Sequence, residues 1–252
     1  LATNTSALPI SEIAAATSRP DKVIGIHFFN PVHRMQLVEI VVGEQTSPET
    51  VQRTLSFVQG IGKLPVISKD RPGFIVNRIL LPYLIEAGRL FDNGANIETV
   101  DRAMLDFGMP MGPLRLIDEV GADVALHVAA TLHASFGERL SVPPILQKLV
   151  DAGMLGRKSG KGFYRYGGKG GEVPNPEARA LCRQTDGTPA DQKLQERMAG
   201  LMAAEAKHCL DEGIAASADD IDFAMIMGAG FAPFRGGPLT YAASLEHNPH
   251  SH

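Results

Sequence analysis

The chain has 252 residues, of which 44% are hydrophobic, and its 24 Lys and Arg residues against 28 Asp and Glu residues give a formal net charge of -4. This composition is typical of a globular protein and gives no electrostatic reason to expect nucleic acid or an anionic membrane as the main partner. No apolar run approaches the roughly 18–20 residues that span a bilayer, no leader pattern opens the chain, and two cysteines, Cys182 and Cys209, exclude a disulfide framework. These absences predict a cytoplasmic location, with a mitochondrial or peroxisomal one left open.

The first 70 residues predict mixed α/β structure. Residues 22–29 and 37–42 are apolar and β-branched, as is typical of strands, and a short connection joins them. Residues 46–49 have capping-box spacing with a proline suited to the first helical turn, so a helix should follow and end at Gly60 to Gly62. A further strand is predicted at residues 64–68.

After residue 71 the strand signals nearly vanish and apolar residues recur at helical spacing. Asn96 is predicted to cap a helix that Gly108 ends. The other predicted helices cover residues 76–91, 114–120, 122–136 and 143–152. The stretch 167–191 is rich in Gly, Pro and polar residues, which predicts a linker.

The sequence after this linker repeats the helical sequence before it. Asn77-Arg78, Glu86-Ala87 and Gly94 match Glu196-Arg197, Glu205-Ala206 and Gly213 at a constant offset, and Asp101 and Gly112-Pro113-Leu114 match Asp222 and Gly237-Pro238-Leu239 after short insertions. Such self-similarity predicts two copies of one helical unit in tandem. The predicted divisions are therefore an α/β part at 1–70, a helical unit at 71–166, the linker at 167–191, a second unit at 192–245 and a tail at 246–252.

His27 is a titratable residue inside an apolar predicted strand, where its ring needs a hydrogen-bonding partner. If the two flanking strands form a hairpin centred on His33, position 27 lies opposite Glu39. Directly paired residues share a face of the sheet, so the carboxylate would fix the tautomer of the imidazole, and both groups should face an open cleft. A His–Glu dyad is a general-base unit, but the same spacing also fits a structural ion pair, and the spacing alone does not choose between them.

Two small polar residues are candidates for binding a substrate oxygen beside this dyad. Ser6 ends the opening segment, and Asn77 lies in the first turn of the predicted helix 76–91. Each can donate a hydrogen bond to a substrate, and each also fits the role of a cap or turn residue.

These motifs resemble the L-3-hydroxyacyl-CoA dehydrogenases of fatty-acid β-oxidation. The resemblance is carried by residues 25–40 (Gly-Ile-His-Phe-Phe-Asn-Pro-Val-His-Arg-Met-Gln-Leu-Val-Glu-Ile) and 71–78 (Arg-Pro-Gly-Phe-Ile-Val-Asn-Arg), and it extends through residues 111–114, 156–164 and 230–237. A second helical unit that ends in the last of these motifs is similar to multifunctional α subunits, which join an enoyl-CoA hydratase to the dehydrogenase.

The resemblance implies NAD-dependent oxidation of an L-3-hydroxyacyl-CoA to a 3-ketoacyl-CoA. It implies that His27 removes the proton of the 3-hydroxyl and that Glu39 orients the imidazole. Ser6 and Asn77 would bind the reacting oxygen, and Asn30 and Ser6 would lie near the nicotinamide. A CoA thioester is the implied substrate, a covalently linked hydratase domain and a thiolase subunit are the implied partners, and no metal is expected.

One expected feature of this family is missing from the sequence. No glycine-rich turn with dinucleotide-fingerprint spacing occurs between a strand and a helix, and the glycines at 167–171 lack both spacing and context. We therefore expect residues 1–70 to be the C-terminal remnant of a Rossmann domain, followed by two units like the C-terminal domain of 6-phosphogluconate dehydrogenase. The 252-residue chain is then a fragment of a larger enzyme and inactive alone.

Two alternative functions accompany this interpretation. One is a 3-hydroxybutyryl-CoA dehydrogenase or a related hydroxyacid dehydrogenase, against which the second Gly-Gly-Pro motif argues, because single-function relatives usually carry one helical unit. The other, from a different class, is a non-catalytic helical interaction module that keeps the dyad without a nucleotide site.

Overall fold

A computed structural model describes residues 1–6, 8–168, 171–182 and 191–247 of the chain. The chain divides into two compact units, Leu1–Ile79 with Ala203–His252 and Leu80–Met202. This division falls within two long helices and does not follow the predicted borders, which stay predictions. No helix among the described residues is long and apolar enough to cross a membrane.

The secondary structure is α/β at the start of the chain and mainly helical after it, as predicted. The strands are β1 (Ala2–Thr3), β2 (Ile24–Phe28), β3 (Leu37–Val42), β4 (Leu64–Lys69), β5 (Tyr164–Gly168) and β6 (Gly171–Pro174). The helices are α1 (Ile10–Ala15), α2 (Pro48–Gly60), α3 (Val76–Asp92), α4 (Ile97–Phe107), α5 (Pro113–Val120), α6 (Ala122–Phe136), α7 (Pro144–Asp151), α8 (Pro176–Arg179), α9 (Asp191–Asp211), α10 (Ala218–Ala229) and α11 (Pro238–His247). A Rossmann-like sheet with helices is thus followed by a helical part.

The sheet of the first unit has the strand order β1-β2-β3-β4. The pairs β1–β2 and β3–β4 are parallel, and the hairpin β2–β3 is antiparallel. Strand β3 is apolar on both sides of the chain, with Leu37, Val38, Ile40 and Val41 all buried, which explains why its sequence runs apolar instead of alternating. This strand lies at the centre of the hydrophobic core that positions the candidate site.

Two helix starts in this unit differ from the sequence prediction. The N-cap of α2 is Ser47, whose hydroxyl accepts a hydrogen bond from Thr50 N, whereas the Thr46 hydroxyl donates to Val23 O and ties the loop to the sheet. Helix α1 is absent from the prediction. Its start is fixed by Asp70, which accepts hydrogen bonds from Ile10 N at 2.9 Å and from the backbone N–H and hydroxyl of Ser11, both at 2.7 Å. A partner so distant in sequence leaves no local signal.

The helix pairs α4–α5 and α10–α11 contain the same arrangement of a carboxylate and a glycine. Asp101 accepts hydrogen bonds from Leu114 N and Arg115 N at 2.8 and 3.1 Å. Asp222 accepts hydrogen bonds from Leu239 N and Thr240 N at 2.8 and 3.0 Å. A Cβ atom added to Gly112 or Gly237 would lie 2.3 Å from the Cβ of the respective aspartate, so only glycine fits before each second helix.

Part of the segment predicted as a linker is folded. Residues 164–168 pair with residues 171–174 in an antiparallel hairpin, and α8 follows, with Asn175 as its buried N-cap. Residues 183–190 of the predicted linker lie outside the described residues. At the other end, α11 continues into the predicted tail as far as His247, and residues 248–252 lie outside the described residues.

Candidate active site

His27 and Glu39 meet across the hairpin of β2 and β3. The register pairs His27 with Glu39 directly, and the distance from His27 Nδ1 to Glu39 Oε2 is 2.7 Å. The predicted pairing of these two residues is therefore confirmed. Because an ionised carboxylate only accepts hydrogen bonds, the proton between them belongs to Nδ1, and the neutral ring presents Nε2 as an acceptor.

Glu39 has a second role that the sequence did not indicate. Its Oε1 accepts hydrogen bonds from the backbone N–H groups of Ile75 at 3.0 Å and Val76 at 2.9 Å, at the start of α3. A helix N-terminus favours an anion, and these bonds satisfy the carboxylate inside the protein. The side chain of Glu39 is 0% exposed, whereas that of His27 keeps 9%. The expectation that both groups face an open cleft is thus wrong for Glu39, because its carboxylate is fully buried and contacts the slightly exposed imidazole.

Two aromatic rings hold the imidazole at its edges. The ring centroid of His27 is 4.8 Å from that of Phe29 and 5.6 Å from that of Phe74, both in edge-to-face geometry. Within the described residues, Nε2 of His27 has no hydrogen-bond partner, so this nitrogen is available to a bound molecule. The ring is oriented by Glu39 through Nδ1 and by packing on two sides.

Phe74 has an unusual backbone conformation that sequence analysis missed. Its φ angle is 50°, in the left-handed region, and the preceding Gly73 has a φ of 78°. A non-glycine residue costs roughly 1–2 kcal/mol there, and such residues cluster at functional sites. Hydrogen bonds from Phe74 N to Arg71 O and from Arg78 N to Gly73 O fix this turn. The Pro72-Gly73 pair before a helix is the sequence signal that would have pointed to it.

Ser6, Asn30 and Asn77 lie in elements that adjoin the dyad. Ser6 is exposed after β1, and Asn30 is exposed after β2, so both follow the carboxyl ends of parallel neighbours at the same edge of the sheet. Ser6 and Phe74 line one cavity of about 280 Å³. Asn77 is half-buried and follows Val76, whose N–H holds Glu39. No hydrogen bond joins any of these three side chains to the dyad within the described part of the chain.

The capping alternative for Asn77 does not match the structure. The backbone N–H groups at the start of α3 are bound by Glu39, and the Asn77 side chain makes no hydrogen bond to a described residue. Its carboxamide therefore remains free to bind another molecule.

The next residue of α3, Arg78, is buried with carboxylates of α9 and the turn after it. The side chain is 0% exposed and contacts Glu205 at 2.8 Å and Glu212 through two bonds of 2.7 Å. Burial on its own lowers the pKa of the Arg78 guanidinium, but the hydrogen bonds that it donates to Glu212 and Glu205 hold this pKa well above its usual range. The first turn of α3 is thus fixed on one side by Glu39 and on the other by these carboxylates.

The His27–Glu39 dyad lies on the two inner strands of a Rossmann-like sheet, and a helical part follows this sheet in the chain. The family model described as 3-hydroxyacyl-CoA dehydrogenase, NAD binding domain matches residues 1–71, and the one described as 3-hydroxyacyl-CoA dehydrogenase, C-terminal domain matches residues 73–166. The chain belongs to the 3-hydroxyacyl-CoA dehydrogenase family.

Curated relatives extend this similarity over the whole chain. A fatty acid oxidation complex subunit alpha of Shewanella amazonensis (strain ATCC BAA-1098 / SB2B) is 45% identical over 247 residues, which covers 97% of this chain and 35% of the relative. The subunit of the same name from Shewanella baltica (strain OS155 / ATCC BAA-1091) is 44% identical over 247 residues, with the same coverage. The chain therefore spans about a third of the length of the curated relatives it matches.

Two solved structures are also similar. The 3-hydroxybutyryl-CoA dehydrogenase of Escherichia coli K12 substr. MG1655 matches with a TM-score of 0.80 and 29% identity over 97% of this chain and 68% of that chain. The dehydrogenase part of multifunctional enzyme 1 from C. elegans matches with a TM-score of 0.63 and 30% identity over 90% of this chain and 53% of that one. Because the first match includes the second helical region, the second Gly-Gly-Pro motif does not argue against a 3-hydroxybutyryl-CoA dehydrogenase, contrary to the expectation from the sequence.

Proposed function

We propose that the protein containing this chain oxidises L-3-hydroxyacyl-CoA to 3-ketoacyl-CoA with NAD in fatty-acid oxidation, as the dehydrogenase part of a multifunctional α subunit. The observation that carries this proposal is the 2.7 Å contact between Nδ1 of His27 and Glu39, with Nε2 left free for a substrate. A purely structural ion pair gives no reason for an imidazole nitrogen to be left without a partner at a nearly buried position.

The chain's own part in the reaction is the handling of one proton. His27 Nε2 accepts the proton of the 3-hydroxyl while the C3–O bond becomes a carbonyl, and Glu39 stabilises the resulting imidazolium through Nδ1. When bound, NAD supplies the acceptor for the hydride that leaves C3. Because Glu39 is buried and held by two backbone N–H groups, it keeps the ring in one tautomer and orientation throughout.

Three polar side chains would hold the reactants around the dyad. Ser6 and Asn77 donate hydrogen bonds to the reacting oxygen of the substrate, and Asn30 and Ser6 lie beside the nicotinamide. The exposure of Ser6 and Asn30 beyond the carboxyl ends of β1 and β2 supports this assignment, since ligands of open α/β sheets bind there. The phosphate-binding turn that NAD requires is not part of these 252 residues, so the groups named here serve only the nicotinamide end.

The finer organisation of the chain is part of the same proposal. Residues 1–70 form the C-terminal portion of the NAD-binding domain, and the units at 71–166 and 192–245 are two copies of one helical unit. The matching contacts of Asp101 and Asp222 support this, as do two ion pairs in matching positions, Arg78 with Glu205 and Arg197 with Glu86. A linked hydratase domain accords with relatives named as a complex subunit alpha, whereas the thiolase subunit and the cytoplasmic location stay predictions.

A second candidate, a dehydrogenase specific for 3-hydroxybutyryl-CoA, is favoured by the similarity to the Escherichia coli structure over nearly the whole chain. The two candidates differ in acyl-chain length. Oxidation of NADH with a C4 substrate, acetoacetyl-CoA, compared with a C16 3-ketoacyl-CoA distinguishes them, because only the first candidate predicts comparable kcat/KM for both.

The test of the proposed function uses the gene product that contains these residues, assayed by acetoacetyl-CoA-dependent oxidation of NADH. His27→Gln should lower kcat by about 10²- to 10⁴-fold, because it removes the general base. His127→Gln, on α6, is the matched control and should keep the wild-type rate. Full activity of His27→Gln would refute the mechanism, and a wild-type protein without activity would favour a non-catalytic module. The 252-residue chain alone should show negligible turnover and NAD binding.

A further inference from the structure

Helix α10, in the proposed second helical unit, contains a glycine that packs against Leu37 of β3 and Val76 of α3. Gly228 lies near the end of α10, where glycine costs about 0.5–1 kcal/mol relative to alanine, so its presence calls for a packing reason. A Cβ atom added there would lie 2.7 Å from Leu37 Cδ2 and 2.9 Å from Val76 Cγ2. Since real Cβ atoms do not approach other atoms so closely, only glycine lets α10 pack at this distance.

Leu37 and Val76, the two residues that contact Gly228, lie on the two elements that position Glu39, namely β3 and the start of α3. Leu37 is two positions before Glu39 on β3, so both side chains lie on the same face of the sheet. Val76 donates its backbone N–H to Glu39 Oε1 at 2.9 Å. Both Leu37 and Val76 are about 1% exposed, so neither can move toward solvent.

The contact with Val76 is the less forgiving of the two. The Leu37 methyl is the far end of a flexible side chain and can rotate away. Val76 is β-branched and buried, and its methyl groups are attached directly to Cβ, so they cannot turn aside as the far end of a longer side chain can. Pressure on Val76 must therefore move the first turn of α3, and with it the N–H that holds Glu39.

The same turn of α3 is fixed to α9 as well. Arg78, two residues after Val76, is buried against Glu205 and Glu212, and at the end of β4 the N–H of Lys69 donates to Ile214 O at 2.8 Å. The segment 203–230 is thus attached independently of Gly228, and α10 cannot simply shift away from a larger residue.

We infer that Gly228 is a positioning residue for Glu39: by letting α10 pack against Leu37 and Val76, it sets the first turn of α3 and hence the carboxylate behind His27. The second helical unit then contributes to the geometry of the dyad without touching the substrate. This inference rests on the proposed function only for its kinetic readout.

The experiment compares Gly228→Ala with Gly200→Ala in the gene product that contains these residues. Gly200 lies on α9 with nothing within 4 Å of an added Cβ, so its replacement is a matched control. Gly228→Ala should lower kcat by about 5- to 20-fold with KM values for acetoacetyl-CoA and NADH nearly unchanged, since displacements well below 1 Å from a reacting geometry cost this much. Gly200→Ala should leave kcat unchanged.

Rescue distinguishes positioning from a loss of stability. The double variant Val76→Ala/Gly228→Ala removes the colliding methyl groups and keeps the Val76 backbone N–H, so it should recover most of the lost kcat, with Val76→Ala completing the cycle. All rates are measured below the melting transition of the least stable variant. A Gly228→Ala protein with wild-type kcat, or a double variant without recovery, would overturn the inference.

A readout independent of activity separates this inference from the proposed function. In protein labelled with ¹⁵N-histidine, the downfield proton of the His27 Nδ1–H bonded to Glu39 should move in Gly228→Ala and return in the double variant. If the wild-type protein does not oxidise NADH, the proposed function fails while this signal still tests the role of Gly228. An unmoved resonance in Gly228→Ala contradicts that role.

Discussion

The helix pairs α4–α5 and α10–α11 use the same backbone contacts but differ in the third bond of their aspartates. Asp101 accepts a hydrogen bond from the Tyr164 hydroxyl of strand β5 at 2.7 Å, whereas Asp222 accepts one from the Thr240 hydroxyl of its own second helix, also at 2.7 Å. The carboxylate, the glycine and the two N–H groups are the same in both helix pairs. A further lone pair of each carboxylate accepts the third bond, which in the first case attaches strand β5 of the hairpin.

The ion pairs of matching position show a larger difference. Arg78 and Glu205 are 0% and 4% exposed in their side chains, whereas Arg197 is 57% exposed above a buried Glu86. The Arg78–Glu205 pair is therefore enclosed by the protein, whereas in the matching pair the Arg197 side chain is about half exposed to water. This contrast shows that matching sequence positions fix which residues meet, while the surroundings fix what the contact contributes to stability.

The two arginines provide the strongest test of this contrast. Arg78→Met should destabilise the protein by about 3–5 kcal/mol, because it leaves the buried Glu205 without its cation. Arg197→Met should cost about 1 kcal/mol, since the guanidinium of Arg197 is half exposed and Arg89 remains 3.9 Å from Glu86. Methionine keeps most of the aliphatic volume in both variants. Urea unfolding measures the two losses, and equal values would contradict the assigned difference.

The first aspartate should make stability depend on pH. Burial raises the pKa of Asp101 from 3.8 to about 6, although hydrogen bonds from Tyr164, Leu114 and Arg115 lower it. The folded state therefore binds this proton more tightly, and the stability it contributes is complete below about pH 4 and lost as the pH rises through about 6. The full change is at most about 3 kcal/mol.

Urea unfolding between pH 4 and 7 measures this dependence. Asp101→Asn should flatten the decline, and Asp222→Asn shows how much of any change comes from losing a carboxylate that caps a helix. An unaltered slope in Asp101→Asn would show that another group carries the pH dependence.

The two glycines should give the smallest effects, and their replacement tests the contacts that both helix pairs share. Gly112→Ala and Gly237→Ala should each cost about 1–3 kcal/mol through overpacking against their aspartates. Gly237 should be at the upper end, because its φ of 104° also strains an alanine, whereas Gly112 has a φ of -67°. Melting temperatures measured together with that of the Gly200→Ala control should show this order. A neutral result at either site would show that the two helix pairs do not share this packing constraint.

Local sequence patterns predicted the features whose determinants lie close together. The apolar runs before and after residues 30–35 predicted a hairpin, and symmetry about His33 then predicted that His27 pairs with Glu39, as the structure shows. The proposed repeat rests on the recurrence of Asp101 and Gly112 as Asp222 and Gly237, and in the structure each of these glycines packs against the respective aspartate.

Features that depend on distant partners were not predictable. The start of α1 is held by Asp70, and the buried end of Glu39 is held by Ile75 and Val76, far along the chain in each case. Phe74 occupies a left-handed conformation that its side chain disfavours, so only the preceding Pro72-Gly73 pair gives a sign of its geometry. Sequence spacing indicates which residues share a strand face or a helix face, but not which backbone groups of another element they bind.

The hydrogen bonds that the two carboxylate oxygens of Glu39 make have a consequence for the evolution of this fold. One carboxylate oxygen binds the imidazole and the other binds the start of a long helix, so the acid serves the fold as well as the proposed chemistry. In a descendant that has lost its reaction, selection would release the histidine and still retain the glutamate. A homologue with that acid and a different residue opposite it would be recognisable as a pseudoenzyme.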